Sequence, residues 1–122
     1  MPERSILVVD DDPAILATIA EILELEGYDV LRAGDGAEAL RALDACKANC
    51  PALVVLDMRM PIVDGWAFAE ELRQRGLATP ILLMTAAPGA AEWVETIGAQ
   101  GVLAKPFELN DLLDAVARLT IA

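Results

Sequence analysis

Short uninterrupted apolar runs alternate along this chain with longer stretches in which apolar residues recur every three or four positions. Ser5-Ile6-Leu7-Val8-Val9, Ala52-Leu53-Val54-Val55-Leu56 and Pro80-Ile81-Leu82-Leu83-Met84 read as strands covered on both faces. Tyr28-Asp29-Val30-Leu31-Arg32 is a weaker second strand, and Gly101-Val102-Leu103-Ala104 a fifth. Asp12-Pro13 has the form of an N-cap and a first helical residue; Ile15, Leu16, Ile19, Ile22 and Leu23 follow at helical spacing, and Gly27 closes the helix. A second helix is predicted from about Ala37 to Ala48, with Leu40, Leu43 and Cys46 inward. A third, capped by Asp64, carries Phe68, Ala69 and Leu72 and ends at Gly76. A short fourth helix is predicted around Ala90 to Ile97, and a last one shows Leu109, Leu112, Leu113 and Val116. Five βα units in succession imply an α/β fold with a parallel sheet covered on both sides. In such sheets, sites lie beyond the carboxyl ends of the strands.

Length and charge narrow the picture. The 122 residues are read as one domain, 1–122, and 56% apolar content excludes disorder. The stretch from Gly76 to Ala91 carries no charge but is cut by Pro80 and Pro88, so it falls short of a membrane helix. The opening Met1-Pro2-Glu3-Arg4 lacks the character of a secretory signal, and a cytoplasmic location without membrane attachment is expected. Twenty acids against nine bases leave a net charge of −11, which opposes direct nucleic-acid binding by this domain. There is no histidine, which removes imidazole catalysis, histidine–metal ligation and a phosphohistidine on this chain. Cys46 and Cys50, the two cysteines, read as small apolar side chains near a helix end rather than as a zinc site or a disulfide.

The strand ends carry the candidate chemistry. Strand one ends in Asp10 and Asp11, strand three in Asp57, strand four in Thr85 and strand five in Lys105. Two carboxylates about 5 Å apart repel by roughly 3 kcal/mol at an effective dielectric near 20. Three of them call for a cation, and an all-oxygen, partly hydrated site suits Mg2+. Asp12 reads as a helix cap, and Thr85 alone would be an ordinary strand-end threonine. Together, though, these are the parts of an aspartyl-phosphate site. Asp57 is the nucleophile, Asp11 and Asp10 hold Mg2+ (Asp10 partly through water), and Lys105 and Thr85 complete the charge compensation.

With these motifs, the chain resembles the receiver domain of two-component response regulators. The resemblance rests on Ile6-Leu7-Val8-Val9-Asp10-Asp11-Asp12, on Val54-Val55-Leu56-Asp57-Met58-Arg59-Met60-Pro61 with Asp64-Gly65, on Met84-Thr85-Ala86 and on Lys105-Pro106-Phe107. It implies a flavodoxin-like, CheY-like (βα)5 doubly wound sheet in strand order 2-1-3-4-5. It further implies that Asp57 accepts a phosphoryl group from a sensor histidine kinase or a histidine phosphotransfer protein. The metal ligands implied are Asp10, Asp11, Asp57 and the Arg59 backbone carbonyl, and Lys105-Pro106 is implied to be a cis peptide. Phosphorylation would draw Thr85 inward and shift the face built by the fourth helix, fifth strand and fifth helix, for an output domain or downstream protein. Homodimerisation through that face stays open. The implied activity is that of a phosphoacceptor, with at most self-catalysed phosphorylation and slow autodephosphorylation.

Three departures from the family pattern stand out. Val102 occupies the place of a common Tyr or Phe, so an aromatic flip coupled to Thr85 is not available. Gly98 lies about two residues closer to Thr85 than is usual, and Pro88-Gly89 points to a reworked loop. Arg59 and Ala87 stand where members differ in dephosphorylation rate. Trp66 is read as packing, and Trp93 as a core or partner contact. Two other functions compete. A haloacid-dehalogenase-like Mg2+ phosphatase would place a second Asp where Arg59 stands. A degenerate receiver would bind partners independently of phosphorylation, a reading that the intact acceptor, acids and lysine oppose and that Val102 and the shortened fourth unit leave open.

Overall fold

The computed structural model describes residues 5–45, 50–57, 62–85, 94–95, 97–104 and 107–120, with 62–65 as backbone only. Five strands form one parallel sheet: β1 (Ser5–Val9), β2 (Asp29–Ala33), β3 (Leu53–Asp57), β4 (Ile81–Thr85) and β5 (Gly101–Ala104). Their spatial order is β2-β1-β3-β4-β5, the doubly wound order that the resemblance implies. Among the described residues four helices cover the sheet: α1 (Pro13–Leu25), α2 (Gly36–Ala45), α3 (Ile62–Gln74) and a last helix, Leu109–Thr120. None of them is long and apolar enough to cross a membrane.

The continuous apolar strands work because both faces are covered. Along β1 the odd residues Leu7 and Val9 join Val54, Leu56 and Leu83 beneath Leu43, Phe68 and Leu72 of α2 and α3. The even residues Ile6 and Val8 join Leu53, Val55, Leu82 and Met84 beneath Ile19 and Leu23 of α1 and Leu112 and Val116 of the last helix. Two half-cores therefore lie on opposite faces of one layer, as the period-two geometry of a strand requires.

The element boundaries depend on local hydrogen bonding. Asp12 caps α1, its carboxylate accepting from the amides of Ala14 and Ile15, with Pro13 as first helical residue. Gly27, at φ +97°, takes the left-handed turn after α1. At the start of α2, Asp35 accepts from the Glu38 amide at 2.8 Å and Glu38 reaches back to the Gly34 amide at 2.5 Å, a reciprocal cap.

Several expectations change. Strands two, three and four each run one residue later than their apolar runs suggest, because Ala33, Asp57 and Thr85 remain in the ladder. Helix α3 begins at Ile62, so Asp64 lies within its first turn and does not cap it. Trp66 is 45% exposed rather than packed. Phe68, Ala69 and Leu72 define the buried stripe of α3, and Trp66 sits roughly 110° around the helix from its centre. Leu109 is 51% exposed, standing in the first turn of the last helix ahead of the buried Leu112 and Val116. Val94, Glu95 and Ile97 are helical, in keeping with a short fourth helix, and its predicted start lies outside the described residues.

Candidate functional site at the carboxyl edge of the sheet

Strand pairing brings the acids together. Val9 is in register with Leu56, so the next residues on these neighbouring strands are Asp10 and Asp57. By alternation both continue the rows of Ile6 and Val8 and of Leu53 and Val55, on the face covered by α1 and the last helix. Both carboxylates are buried, each residue 1% exposed, whereas Asp11 faces solvent. One carboxylate oxygen from each of Asp10, Asp11 and Asp57 lies within 4.8 Å of the others.

Their surroundings hold the acids in place. The Asp10 amide donates to the Ala33 carbonyl at 3.1 Å, extending the β1–β2 ladder by one rung. The Asp10 Oδ1 accepts from the Asp12 amide at 2.9 Å. Thr85 closes β4 in register with Ala104 and is 2% exposed. Because Asp57 pairs with Met84, Thr85 stands one residue beyond the Asp57 rung on the adjacent strand.

The donor set is a test of which ion the site can take. Three carboxylates offer only hard oxygen ligands, which excludes a thiolate or imidazole site and suits Mg2+. Oxygen ligands of one Mg2+ at about 2.1 Å stand at most about 4.2 Å apart. The 4.8 Å within which these oxygens lie is a little beyond that limit, a spacing that fits one ion with one of the three bound through water.

Four of the residues singled out from sequence thus meet or adjoin at one edge: Asp10, Asp11, Asp57 and Thr85. Lys105, with Pro106, and Arg59 lie outside the described residues, as do Cys46, Ala87, Pro88-Gly89 and Trp93. Cys50 is exposed, and Val102 is 40% exposed on β5. Arg73 went unnoticed in the sequence: its Nη2 donates to the Ile97 carbonyl at 3.1 Å and to the Gly98 carbonyl at 3.4 Å. No local pattern signals a contact across 24 residues.

The comparisons with known proteins agree with this fold. The sequence model of the response regulator receiver domain matches residues 6–117. The chain is 44% identical over 115 residues to the response regulator MprA of Mycobacterium sp. (strain KMS), covering 93% of this chain and 48% of that protein. It is 39% identical over 120 residues to the alkaline phosphatase synthesis transcriptional regulatory protein PhoP of Bacillus subtilis (strain 168), covering 94% of this chain and 49% of that one. The chain therefore spans about half the length of these relatives. Among solved structures, the chemotaxis protein CheY4 of Vibrio cholerae matches with a TM-score of 0.84 at 30% identity, covering 97% of this chain and 99% of that one. The non-phosphorylated HemR receiver domain from Leptospira biflexa matches with a TM-score of 0.82 at 33% identity, covering 98% and 96%. Receiver domains are signalling domains of two-component systems rather than a family of enzymes. In sequence and in fold, the chain belongs to the response regulator receiver domain family.

Proposed function

We propose that residues 1–122 act as one phosphoacceptor domain in the cytoplasm, taking a phosphoryl group on Asp57 from a phosphohistidine of a sensor histidine kinase or a histidine phosphotransfer protein. The observation that carries this reading is the convergence of Asp10, Asp11 and Asp57 within 4.8 Å. So dense a negative charge is costly without a cation and useful with one.

Asp10, Asp11 and Asp57, with the Arg59 backbone carbonyl, would hold Mg2+. When bound, the ion supplies neutralisation of the phosphoryl oxygens as charge develops on them. The Asp57 carboxylate attacks phosphorus, a P–O bond forms to Asp57, and the N–P bond breaks with the electron pair returning to the donor imidazole. Burial of Asp57 and Asp10 keeps the attacking oxygen fixed and partly shielded from bulk water. Thr85 donates its hydroxyl, and Lys105 its ammonium, to the transferred oxygens. Engagement of Thr85 then biases the face of β5 and its flanking helices toward an output domain or downstream protein, and that face is also the one available for pairing two copies. Without an aromatic at Val102, the shift is carried by Thr85 and backbone packing, not by a ring rotation.

The test is Mg2+-dependent labelling of the chain by a small phosphodonor such as acetyl phosphate. Labelling is expected in the wild type and lost in Asp57→Asn. A chain that neither labels nor binds Mg2+ would instead be a degenerate receiver acting through protein contacts alone.

A further inference from the structure

We infer that Asp12 is a positioning residue for the cation site, transmitting the rigidity of α1 to the carboxylate of Asp10. The inference rests on the reading of Asp10, Asp11 and Asp57 as the Mg2+ site and adds to it a residue outside the ligand set.

Asp12 is tied into the first turn of α1 at three points. Its Oδ1 accepts from the amides of Ala14 at 2.9 Å and Ile15 at 3.3 Å, and its carbonyl accepts from the Leu16 amide at 2.9 Å. Its backbone is extended, at φ −92° and ψ 111°, the usual conformation of an N-cap. In that conformation its own amide points back along the chain and donates to Asp10 Oδ1 at 2.9 Å. The Asp10 amide is meanwhile tied to Ala33 of β2. The buried Asp10 is thus fixed at its backbone by the sheet and at its carboxylate by the helix.

The consequence is a division of labour among three consecutive acids. Asp10 and Asp11 offer oxygens to the cluster, whereas the Asp12 carboxylate oxygen engaged by Ala14 and Ile15 serves the helix. Without the cap, the turn from Asp10 to Ala14 would lose the contacts that aim the Asp12 amide. Asp10 would then have to be ordered at the moment the cation binds, at the expense of affinity. Because linkage is reciprocal, a cation that orders Asp10 also tightens the first turn of α1.

The experiment titrates Mg2+ alone into the full chain by calorimetry at constant ionic strength, comparing Asp12→Asn, Asp12→Ser and Asp12→Ala. All three remove the same charge, so long-range electrostatics cancel between them, whereas only Asp12→Ala removes the capping oxygen. Asp12→Ala is expected to bind two- to fivefold more weakly than Asp12→Asn and Asp12→Ser, about fivefold being a whole cap free energy of ~1 kcal/mol expressed as affinity. Hydrogen exchange at the Ala14 and Ile15 amides is expected to slow with Mg2+ in the wild type and Asp12→Asn and to respond less in Asp12→Ala. Should Asp12→Ala be unfolded by circular dichroism in chelator, Asp12→Gly replaces it, since glycine is tolerated as a cap yet carries no acceptor. Equal affinity in the capped and uncapped variants, with wild-type binding intact, overturns the role of Asp12 alone. No Mg2+ binding by the wild type overturns the site reading, and this inference with it.

Discussion

Asp10, the residue after β1, and Asp57, the last of β3, stand opposite each other one step beyond the Val9–Leu56 pair, and both are almost wholly shielded from water. The pairing of Val9 with Leu56 leaves them no other place to go. Two acidic side chains are thus held side by side by the central strands of the sheet.

Replacing one of these acids by its neutral amide is expected to stabilise the chain when no divalent cation is present. At a separation near 5 Å and an effective dielectric near 20 the gross repulsion is about 3 kcal/mol. Part of that is offset by the hydrogen bonds a carboxylate makes and an amide makes less well. Asp57→Asn is expected to raise unfolding stability by about 1–2 kcal/mol in chelator, measured by urea denaturation. A lower midpoint than wild type would contradict the placement of the two acids.

Asp11 behaves differently, because it is exposed. Asp11→Asn is expected to leave stability in chelator within about 0.5 kcal/mol of wild type, as for most surface substitutions. Its effect emerges on adding Mg2+. Wild-type stability should rise with Mg2+ by about 2.7 kcal/mol at a hundred times the dissociation constant. In Asp11→Asn the same rise should need at least about ten times more cation, a charge-assisted ligand being worth about 1.5–3 kcal/mol. Thermal unfolding across a Mg2+ series separates the two statements.

At the opposite edge of the sheet Arg73 clamps the end of the fourth helical segment, and Gly98 makes room for it. Gly98 has φ +76°, and a Cβ there would overlap Nη2 of Arg73. Gly98→Ala is expected to cost about 1–2 kcal/mol from the left-handed backbone alone, and more from displacing the guanidinium. Arg73→Ala should cost about 1 kcal/mol through its lost hydrogen bonds. The double variant should be more stable than the sum of the two predicts, because the clash needs Arg73. A denaturant double-mutant cycle reads the coupling; strict additivity would show that the two residues do not meet.

Much of this was legible before any coordinates, and the reasons are physical. Strands covered on both faces need unbroken apolar runs, so β1, β3 and β4 announced themselves, and the acids and Thr85 at their ends followed. The strand ends slipped by one because Asp57 and Thr85 keep their backbone bonds in the ladder although their side chains are polar. Hydropathy reports side chains, whereas the ladder is made of main chain. Asp12 was recognisable as a cap from Pro13 alone, but its amide bond to Asp10 depends on how the turn closes. Arg73 was invisible because nothing near it in sequence names Ile97 or Gly98 as partners.

Trp66 is a case where side-chain size misleads. An indole after a turn suggests core, yet its position on α3 leaves it 45% exposed. Trp66→Ala is accordingly expected to change stability by less than about 0.5 kcal/mol, against the 3–5 kcal/mol typical of a buried aromatic. Urea midpoints decide between the two figures.

Under the proposed function, substitution of Thr85 is expected to separate accepting a phosphoryl group from responding to it. Thr85 is buried at the end of β4, in register with Ala104 of β5. In the proposed site its hydroxyl would be one donor among several compensating groups, so its loss is expected to slow labelling of Asp57 modestly, by about tenfold or less. The response of β5 has fewer substitutes, since Val102 offers no ring to follow the site. In the wild type, beryllofluoride with Mg2+ is expected to alter hydrogen exchange across Gly101–Ala104. Thr85→Ala should bind the same mimic and leave β5 exchange unchanged, and Thr85→Ser, which restores the hydroxyl, should recover the response. A full β5 response in Thr85→Ala would show that the signal leaves the site by another route.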